Sequence, residues 1–507
     1  MTDEKTPENA KKPTLSLAKP VKLQPHAKKR KPKPAFLKDP KKQKAQSPDP
    51  KQRQKKAGAM GKGAPPAGKN KPLALAHAPR LPDNRKAAYE VAAMVMLYDH
   101  YLDKALAENE RLAKLFASDR QFVRLLVTSM LRHHQQLSDL LDDYVTRRPP
   151  ADAMLILMMG AAQLLLLKTP SHAAISTTVD LMRAADFDHM TGLANAILRK
   201  LTSKNIDLLA PQGLAKNIAP DILKGWHNAY GPERVMAFLP SLFEVPQIDL
   251  NFAKPEKAAE LLPKLKGDML TKTVMRAPLG GNVTEWPGFA EGAWWVQDVA
   301  ASVPADLLGD ISGKTVIDMC AAPGGKTAQL IAKDANVTAL EIDPKRANRL
   351  ETNLKRLRMS CGIAVADALD YTPSGPVDAV LLDAPCSATG TIKKRPDVMR
   401  KNITDDIKTL PDLQMRLAKQ ALSWLKPDGQ LIYATCSMQQ EEGEAIIAKL
   451  TTGPSAVARI SPITKDEAGL FATSLNKDGT LRLLPDSCRK EGGNDGFFIA
   501  RLHPIKA

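Results

Sequence analysis

From residue 303 onward, short apolar segments alternate with amphipathic ones, and this alternation constrains the fold more than any other feature of the sequence. Short apolar runs bounded by turn-forming residues are typical of buried strands, and the longer periodic segments between them are typical of helices. The predicted strands are the segments 315–319, 337–340, 363–366, 377–382, 430–434 and 497–501. Such a chain forms a parallel sheet with helices on both faces, so we expect an α/β domain over residues 301–507.

Residues 81–205 follow a different pattern, in which apolar residues recur at steps of three and four. Val91, Met94, Leu97 and Tyr101 form one such series, and this spacing places them on one face of a helix. The predicted helices are the segments 86–107, 119–132, 136–144, 154–167, 172–185 and 191–201. We expect an all-α bundle here, followed by a mixed α/β linker subdomain in residues 206–300, with an extended segment at 247–251.

The positive charge of the chain is concentrated in residues 1–80. The formal net charge is +18, and this segment alone holds 22 Lys and Arg residues against five Asp and Glu. It also contains 13 of the 39 prolines and a single aromatic residue, Phe36. A segment with so little apolar surface cannot offset the entropy lost on ordering. We interpret it as a disordered basic tail, either a nonspecific arm for RNA or a solubilising extension.

Several protein classes are disfavoured by the remaining composition. The five cysteines (Cys320, Cys361, Cys386, Cys436 and Cys488) have the spacing of neither a disulfide framework nor a metal site. The first residues lack the apolar stretch of a secretory signal. The most apolar run, residues 153–167, is shorter than the roughly 18 to 20 residues that span a bilayer. We therefore expect a cytoplasmic protein with no metal and no membrane span.

A run of small residues follows the first predicted strand of the α/β domain. It reads Asp318-Met319-Cys320-Ala321-Ala322-Pro323-Gly324-Gly325-Lys326-Thr327. Small residues let the backbone approach a ligand closely, and the N-terminus of the following helix can face a negative group. Neither the glycines of a dinucleotide loop nor the spacing of a phosphate loop is present. The run is a candidate cofactor loop, with a nonspecific tight turn as the alternative.

Acidic residues stand at the ends of the second and third strands, at Glu341 and Asp367. A carboxylate in the first of these positions can bind the ribose hydroxyls of an adenosine-containing cofactor. Asp367 can reach the adenine amino group, or it can be a turn residue. Asp343, which precedes Pro344, is equally well explained as a helix N-cap. Glu341 is therefore the better ribose candidate.

The fourth and fifth strands end beside cysteines. Asp383 and Cys386 follow one strand, and Cys436 follows the other. The carboxyl ends of parallel strands lie at the edge where open sheets bind ligands. A single buried cysteine is usually an inert apolar residue, but two at one sheet edge beside a cofactor loop predict a reactive pair.

Residues 292–502 resemble the Sun-type family of RNA (cytosine-5) methyltransferases, which have a Rossmann-like class I fold. The matching stretches are Val296-Gln297-Asp298, Cys320 to Thr327, Asp383 to Gly390, Tyr433 to Ser437 and Asp495-Gly496-Phe497-Phe498. The helical region resembles the NusB-like RNA-binding bundle through Asp119-Arg120, Leu131-Arg132, Gln163-Leu164, His172-Ala173-Ala174 and Asn195 to Arg199. Bacterial enzymes that methylate a cytosine of small-subunit ribosomal RNA have this pairing of domains.

The resemblance implies S-adenosylmethionine as the cofactor and a covalent route to 5-methylcytosine. Carbon 5 of cytosine is a poor nucleophile, and addition of a thiolate to carbon 6 makes carbon 5 electron-rich. By resemblance, Cys436 is the nucleophile, Cys386 assists product release and Asp383 hydrogen-bonds the base around nitrogen 3; the spacing alone does not choose between the two thiols. The implied cofactor-binding residues are Cys320, Ala321, Ala322, Pro323, Gly324, Gly325, Lys326, Glu341, Asp367 and Asp383.

Other residues near these motifs leave alternatives open. Lys326 either orients the base or lowers the pKa of a thiol, unless it is a solvated helix residue. The target base must leave its stack, and the basic run at 393–395 can bind backbone phosphate or can be solvated. Trp294 and Trp295 either stack on a base or pack in the core.

The sequence departs from the family pattern at two places. The segment after Cys436 reads Glu441-Glu442-Gly443-Glu444 and lacks the asparagine often found there. Residues 249–251 read Asp-Leu-Asn where the family has Arg-Val-Asn. Neither departure touches the expected catalytic residues.

We expect a monomeric RNA methyltransferase whose partner is small-subunit ribosomal RNA. One alternative is the same chemistry on transfer RNA or large-subunit RNA. The other is a non-catalytic RNA-binding assembly or antitermination factor, against which the intact Cys386, Cys436 and Asp383 argue.

Overall fold

The structure is a computed structural model that describes residues 72, 73, 75, 81–204, 206–278 and 282–505. The predicted basic tail, residues 1–80, lies outside the described residues apart from those first three positions. In these ranges no helix is long and apolar enough to cross a membrane. The same part of the chain contains no group of three His, Cys, Asp or Glu side chains that could hold a metal ion.

Residues 81–204 form the helical bundle that the periodicity predicts. Its helices are α1 Asp83–Met96, α2 Leu102–Glu108, α3 Glu110–Ala113, α4 Ala117–Arg132, α5 His134–Asp142, α6 Ala151–Leu165, α7 Ser171–Ala184 and α8 Thr191–Thr202. Helix α6 is apolar around most of its circumference, and every residue from Ala153 to Gln163 is buried. It contacts α1, α4, α5, α7 and α8 and is therefore the central helix of the bundle.

The first predicted helix, residues 86–107, is two helices in the structure. Helix α1 ends at Met96 and α2 begins at Leu102, and Asp99 between them has a φ of 57°. The backbone N–H of Leu102 donates to a carboxylate oxygen of Asp397, 3.1 Å away, in the α/β domain. Tyr101, which was predicted to continue the buried face of this helix, is 48% exposed at the start of α2, and Leu102 is buried instead. The sequence is apolar on both sides of the break, so periodicity alone could not reveal it.

Residues 397–401 of the α/β domain also cap the first helix of the bundle. The guanidinium of Arg400 donates to the carbonyls of Val95 at 3.3 Å and Met96 at 3.4 Å. Lys401 binds the carboxylate of Asp99 at 2.5 Å. Residues 397–401 thus satisfy polar groups that the end of α1 leaves without partners.

Residues 206–300 have a helical part and a sheet. Helices α9 Pro211–Leu214, α10 Pro220–Tyr230 and α11 Pro232–Phe238 share a core with Met399 and Met438 of the α/β domain. The strands are β1 Ile248–Phe252, β2 Asp268–Met269, β3 Val274–Ala277 and β4 Trp294–Val296, in the order β2-β3-β1-β4. Helix α12 Pro255–Leu265 packs on this sheet. The extended segment expected at 247–251 is strand β1.

The α/β domain is built on an eight-stranded sheet. Its strands are β5 Thr315–Met319, β6 Asn336–Glu341, β7 Gly362–Val365, β8 Val377–Asp383, β9 Leu425–Thr435, β10 Ala458–Ile460, β11 Leu481–Leu483 and β12 Phe497–Pro504. The helices are α13 Val299–Asp306, α14 Gly325–Ala332, α15 Pro344–Arg356, α16 Thr404–Ser423, α17 Glu444–Thr451 and α18 Lys465–Ala468. Successive residues of β5 face opposite sides, so Val316 and Ile317 belong to different cores.

The sheet is mixed rather than wholly parallel. Its order is β10-β12-β9-β8-β5-β6-β7, with β11 also paired to β12. Strands β5 to β9 run parallel, as the alternation predicts, but β12 is antiparallel to β9. The chain between β9 and β12 passes through α17, β10, α18 and β11. A single crossover helix, which would return it in the parallel direction, is therefore missing from this connection.

Candidate active site

Cys386 and Cys436 follow the adjacent parallel strands β8 and β9. Their sulfur atoms lie 3.5 Å apart, and both cysteines are free thiols at intermediate exposure. The hydrogen bond to Cys436, together with burial, raises the pKa of the Cys386 thiol well above its ordinary value. The structure therefore brings the two predicted reactive thiols into direct contact.

Backbone hydrogen bonds join the loops that carry the two thiols. The N–H of Gly390 donates to the carbonyl of Cys436 at 2.9 Å, and the carbonyl of Gly390 accepts from the N–H of Gly496 at 2.8 Å. A Cβ atom at position 390 would lie 2.1 Å from the Gly496 carbonyl oxygen, so this close approach requires glycine. The two loops and the start of β12 form one hydrogen-bonded unit.

Lys326 and Asp383 form an ion pair beside the thiols. The Lys326 ammonium donates to an Asp383 carboxylate oxygen at 2.8 Å, and the lysine side chain is 11% exposed. Burial alone would lower the pKa of Lys326, but the charge and hydrogen bond of Asp383 and the nearby Cys436 thiol raise it. Lys326 is therefore a buried cation beside Cys436 rather than a solvated helix residue.

The predicted cofactor loop connects β5 to α14. Gly324, with a φ of 101°, is the N-cap of α14, a conformation that favours glycine. Beneath the loop, Asp318 is fully buried and accepts from the Thr327 hydroxyl at 2.6 Å. Burial raises the pKa of Asp318 to about 7 and that of the Cys320 thiol to about 12. Cys320 is therefore a neutral thiol at the start of the loop.

The strand-end acids differ in how they are engaged. Glu341 is 1% exposed and accepts from the Ala322 N–H at 3.3 Å and from Arg346 at 3.2 Å, so it braces the loop. Asp367 caps its own turn by accepting from the N–H two residues later at 2.9 Å. Asp343 is the N-cap of α15, which agrees with its structural alternative.

Two cavities meet at these residues. The first has a volume of about 590 Å³ and is lined by the loop residues Cys320, Ala321, Ala322, Pro323, Gly324, Gly325 and Lys326, with Phe289, Trp295 and Phe497. The second has a volume of about 530 Å³ and is lined by Glu341, Asp367, Cys386 and Arg395. Cys320, Asp383 and Cys436 line both cavities. A reaction between two substrates could use this arrangement, since each can approach the thiols from its own side.

Sequence reasoning missed a buried charge cluster at the wall of the first cavity. The Lys394 ammonium binds the carboxylates of Asp298 and, at 3.0 Å, Asp495. Burial alone would lower the pKa of Lys394, but these carboxylates raise it. Burial and the charge of Asp298 raise the pKa of Asp495 to about 7. Both aspartates lie in stretches that carry the family resemblance, and that was the signal available for finding them.

The basic run at 393–395 is engaged by protein carboxylates. Lys393 is 3% exposed and pairs with Glu244 at 3.2 Å, and Arg395 approaches Asp103 at 3.6 Å. These contacts support neither of the two expectations for the run, phosphate binding and simple solvation.

The remaining residues that sequence analysis singled out have structural roles. Trp294 is fully buried in the core of the linker sheet, whereas Trp295 is 5% exposed and lines the first cavity. Asp249, where the family pattern has arginine, forms a buried bidentate pair with Arg276 at 2.7 and 2.8 Å. The departure at 249 therefore serves the packing of the linker.

Comparisons with known proteins agree with this architecture. Residues 305–503 match the family model of the 16S rRNA methyltransferase RsmB/F, and residues 82–203 match that of the NusB family. The crystal structure of PH0851 superposes with a TM-score of 0.64 at 21% identity, covering 84% of this chain and 100% of that chain. This likeness shows a shared fold.

Two curated relatives extend the match to both domains. Ribosomal RNA small subunit methyltransferase B of Pseudomonas putida is 33% identical over 368 residues, which cover 68% of this chain and 80% of that protein. The protein of the same name from Cronobacter sakazakii is 32% identical over 408 residues, which cover 77% and 91%. The chain therefore belongs to the RsmB/F family of ribosomal RNA small subunit methyltransferases and is an S-adenosylmethionine-dependent RNA methyltransferase.

Proposed function

We propose that the protein methylates carbon 5 of a cytosine in small-subunit ribosomal RNA, with Cys436 as the nucleophile. The observation that carries this proposal is the contact between the Cys386 and Cys436 sulfur atoms, 3.5 Å apart, next to the Lys326–Asp383 ion pair. The names of the relatives from Pseudomonas putida and Cronobacter sakazakii support the choice of RNA.

The residues around the second cavity fit a nucleoside-containing methyl donor. Glu341, Asp367 and Asp383 stand at the ends of neighbouring strands and line that cavity, which is the edge where such sheets bind adenosine groups. These acids, with the loop from Cys320 to Lys326, would hold S-adenosylmethionine, and the bound cofactor supplies an electrophilic methyl group. The loop from Ala321 to Lys326 also lines the first cavity, so the cofactor would reach into it. The part of that cavity next to Cys436, Lys394 and Asp495 is then the place for the cytosine.

The covalent route assigns each side chain one task. The Cys436 thiolate, beside the Lys326 cation, adds to carbon 6 and forms a sulfur–carbon bond, while the electron pair of the double bond moves to carbon 5. Asp383 holds the base by accepting a hydrogen bond from its exocyclic amino group. Nitrogen 3 takes up a proton from water as negative charge reaches the ring, and Asp383 accepts a hydrogen bond from that proton as well. Carbon 5 would then form its bond to the methyl group, while the bond between the methyl group and the sulfonium sulfur of the donor breaks and leaves its electron pair on that sulfur.

Product release requires a base for the proton on carbon 5, and Cys386 is placed to be that base. In the free enzyme its pKa is raised, first of all by the hydrogen bond to Cys436. Once the Cys436 sulfur is bonded to carbon 6, it can no longer carry a negative charge or share a proton with Cys386. Cys386 therefore ionises more readily. Cys386 gives its own proton to water and, as the thiolate, takes the proton from carbon 5. The electron pair of that carbon–hydrogen bond restores the double bond, and the sulfur–carbon bond at carbon 6 breaks and releases the Cys436 thiolate.

A trapping experiment tests the division of labour between the thiols. Cys436→Ala should abolish transfer while S-adenosylmethionine still binds. Cys386→Ala should accumulate a denaturant-resistant protein–RNA adduct, because addition proceeds and release does not. The Cys386→Ala/Cys436→Ala double variant should show no adduct. Transfer by Cys436→Ala, or an adduct in the double variant, contradicts the assignment.

The substrate is tested separately. Transfer of tritiated methyl groups should be measured in parallel with protein-free small-subunit, large-subunit and transfer RNA, and the modified base identified by mass spectrometry. We expect 5-methylcytosine in the small-subunit RNA alone. Label in transfer RNA or large-subunit RNA would redirect the proposal to that substrate, with the same chemistry.

A further inference from the structure

A fully buried carboxylate lies behind the two thiol-bearing loops. Glu442 has 0% exposure and accepts hydrogen bonds from the Ser387 N–H at 2.9 Å, the Ser387 hydroxyl at 2.5 Å and the Gln414 amide at 3.1 Å. All three donors are neutral. The nearby Arg482 is paired with Glu444 at 2.6 Å, and Glu442 forms no ion pair within the described ranges of the chain. The charge of Glu442 acts on Arg482, so the carboxylate lies near a cation but is bonded directly by neutral donors.

Glu442 is connected to both thiol-bearing loops. Ser387 directly follows Cys386, and Ser437 directly follows Cys436. The two serine hydroxyls are 3.1 Å apart, and Ser437 is fully buried. The carboxylate, Ser387 and Ser437 therefore form a continuous hydrogen-bonded chain that fixes the residue after each cysteine.

The two thiols experience opposite charges. Lys326 is the cation near Cys436, whereas Glu442 is an anion near Cys386. The hydrogen bond to Cys436 is the largest cause of the raised pKa of Cys386, followed by burial, and the charges of Cys436 and Glu442 act in the same direction. The other titratable groups that face Cys386 are Tyr433 and, around the second cavity, Asp383 and Arg395.

We propose that Glu442 is a positioning residue that gives the two thiols their different roles. The hydrogen bond to Cys436 and burial favour the protonated Cys386 thiol, and the negative charge of Glu442 acts in the same direction. The hydrogen bonds of Glu442 to Ser387 hold the Cys386 loop in place. Cys436, beside Lys326, is then the thiol that ionises and attacks. This inference rests on the proposed function, in which Cys436 is the nucleophile.

The test is alkylation of the full-length protein by iodoacetamide, without RNA or cofactor, followed by peptide mass spectrometry that counts each cysteine separately. Iodoacetamide reacts with the thiolate, so the pH dependence of each rate reports the ionisation of that cysteine. In the unmodified protein, Cys436 should react with a midpoint at lower pH than Cys386. The opposite order, or equal midpoints, overturns the proposal even if no variant can be purified.

The matched variants separate charge from hydrogen bonding. Glu442→Gln keeps the shape and can still bond to Ser387, but it removes the charge. It should speed Cys386 alkylation at neutral pH, because the negative charge that disfavours the thiolate is gone. Glu441→Gln, at the exposed neighbouring position, should change neither rate. Ser387→Ala keeps the charge and removes a hydrogen bond, so it should leave the titration of Cys386 in place. A Cys386 rate in Glu442→Gln equal to that in Glu441→Gln, or an equal acceleration in Ser387→Ala, overturns the role of the charge.

The two proposals can fail separately. If the Cys386→Ala adduct forms but the alkylation midpoints are reversed, Glu442 does not assign the roles and the proposed nucleophile stands. If alkylation behaves as expected but Cys436→Ala still transfers methyl groups, the charge asymmetry is real and the proposed function is wrong. In that case the inference built on it is overturned as well.

Discussion

The guanidinium of Arg132, in the helical bundle, donates a 2.8 Å hydrogen bond to the backbone carbonyl of Lys393 in the α/β domain. Arg132 is 5% exposed, and burial lowers its pKa to about 10. Lys393 lies in the segment that leads from the Cys386 loop to Asp397 and Arg400, both of which also bind the bundle. The bundle therefore supports the segment next to the thiols.

Removing this contact should destabilise the protein. Arg132→Leu leaves the buried Lys393 carbonyl without its donor, at a cost of about 1–3 kcal/mol, and should also slow methyl transfer. The free energy of unfolding in urea measures the first effect. Arg124→Leu, an exposed position on the same helix, should stay within about 0.5 kcal/mol of the unmodified protein. Equal effects of the two substitutions would show that the contact carries no stability.

The pair of Lys326 and Asp383 gives a kinetic prediction. Asp383→Asn removes the partner of a buried ammonium and the hydrogen-bond acceptor for the base, so kcat should fall by about 10²–10⁴-fold. Asp378, on the same strand, is also paired with a lysine, Lys426, at 2.7 Å, but it lies at the opposite end of β8 from the thiols. Asp378→Asn should therefore leave kcat within a factor of about two. An unchanged kcat in Asp383→Asn would exclude its role with the base.

The raised pKa of Asp318 predicts how stability changes with pH. Burial raises this pKa from 3.8 to about 7, so the folded state holds a proton that the unfolded state releases. The contribution of Asp318 to the free energy of unfolding is greatest below about pH 4 and is lost as the pH rises through about 7. Asp318→Asn has no such proton, so its free energy of unfolding relative to the unmodified protein should increase over this interval, by on the order of a few kcal/mol.

Urea unfolding of the cofactor-free protein at pH 5, 6, 7 and 8 measures this difference. Asp495, whose pKa is also raised to about 7, is present in both proteins and therefore cancels. Asp334→Asn, at an exposed position, serves as the control and should show no pH-dependent difference. A constant difference between Asp318→Asn and the unmodified protein would contradict the prediction.

The close backbone approach at Gly390 gives a steric prediction. In Gly390→Ala, the new methyl group would lie 2.1 Å from the Gly496 carbonyl and 2.8 Å from the Cys436 carbonyl, so the two loops must separate. We expect a loss of about 1–3 kcal/mol and a lower rate of adduct formation in the Cys386→Ala background. Gly375→Ala, where nothing lies within 4 Å, should change neither. Normal adduct formation by Gly390→Ala would mean that the loops tolerate separation.

The sequence predicts those parts of the site that depend on strand ends. Asp383, Cys386 and Cys436 could be placed together because the carboxyl ends of neighbouring parallel strands share one edge. The antiparallel direction of β12 could not be predicted from alternation, since it depends on the route of a long connection. The break in the helix after Met96 could not be predicted either, because the carboxylate that binds the start of the next helix belongs to Asp397, which is far away in the sequence.

Charged residues were the least predictable. The cationic run at 393–395 suggests solvent or phosphate, but Lys394 is neutralised by Asp298 and Asp495, which only the folded chain brings to it. Glu442 was visible in the sequence solely as part of a departure from the family pattern. Its neighbours, Ser387 and Gln414, come from two other elements, so its burial could not be read from its own segment.

The hydrogen bond between Gly390 and Gly496 has a consequence for biosynthesis. Strand β12 pairs with β9 along Leu431 to Thr435, directly before Cys436, and it begins one residue after Gly496. A nascent chain in which this strand is still inside the ribosome lacks the pairing of β12 with β9 and the hydrogen bond from Gly496 to Gly390, which hold the two thiol-bearing loops in place. Chains truncated before residue 497 should therefore be inert even when every catalytic side chain has been made, and methylation can begin only after synthesis has passed β12.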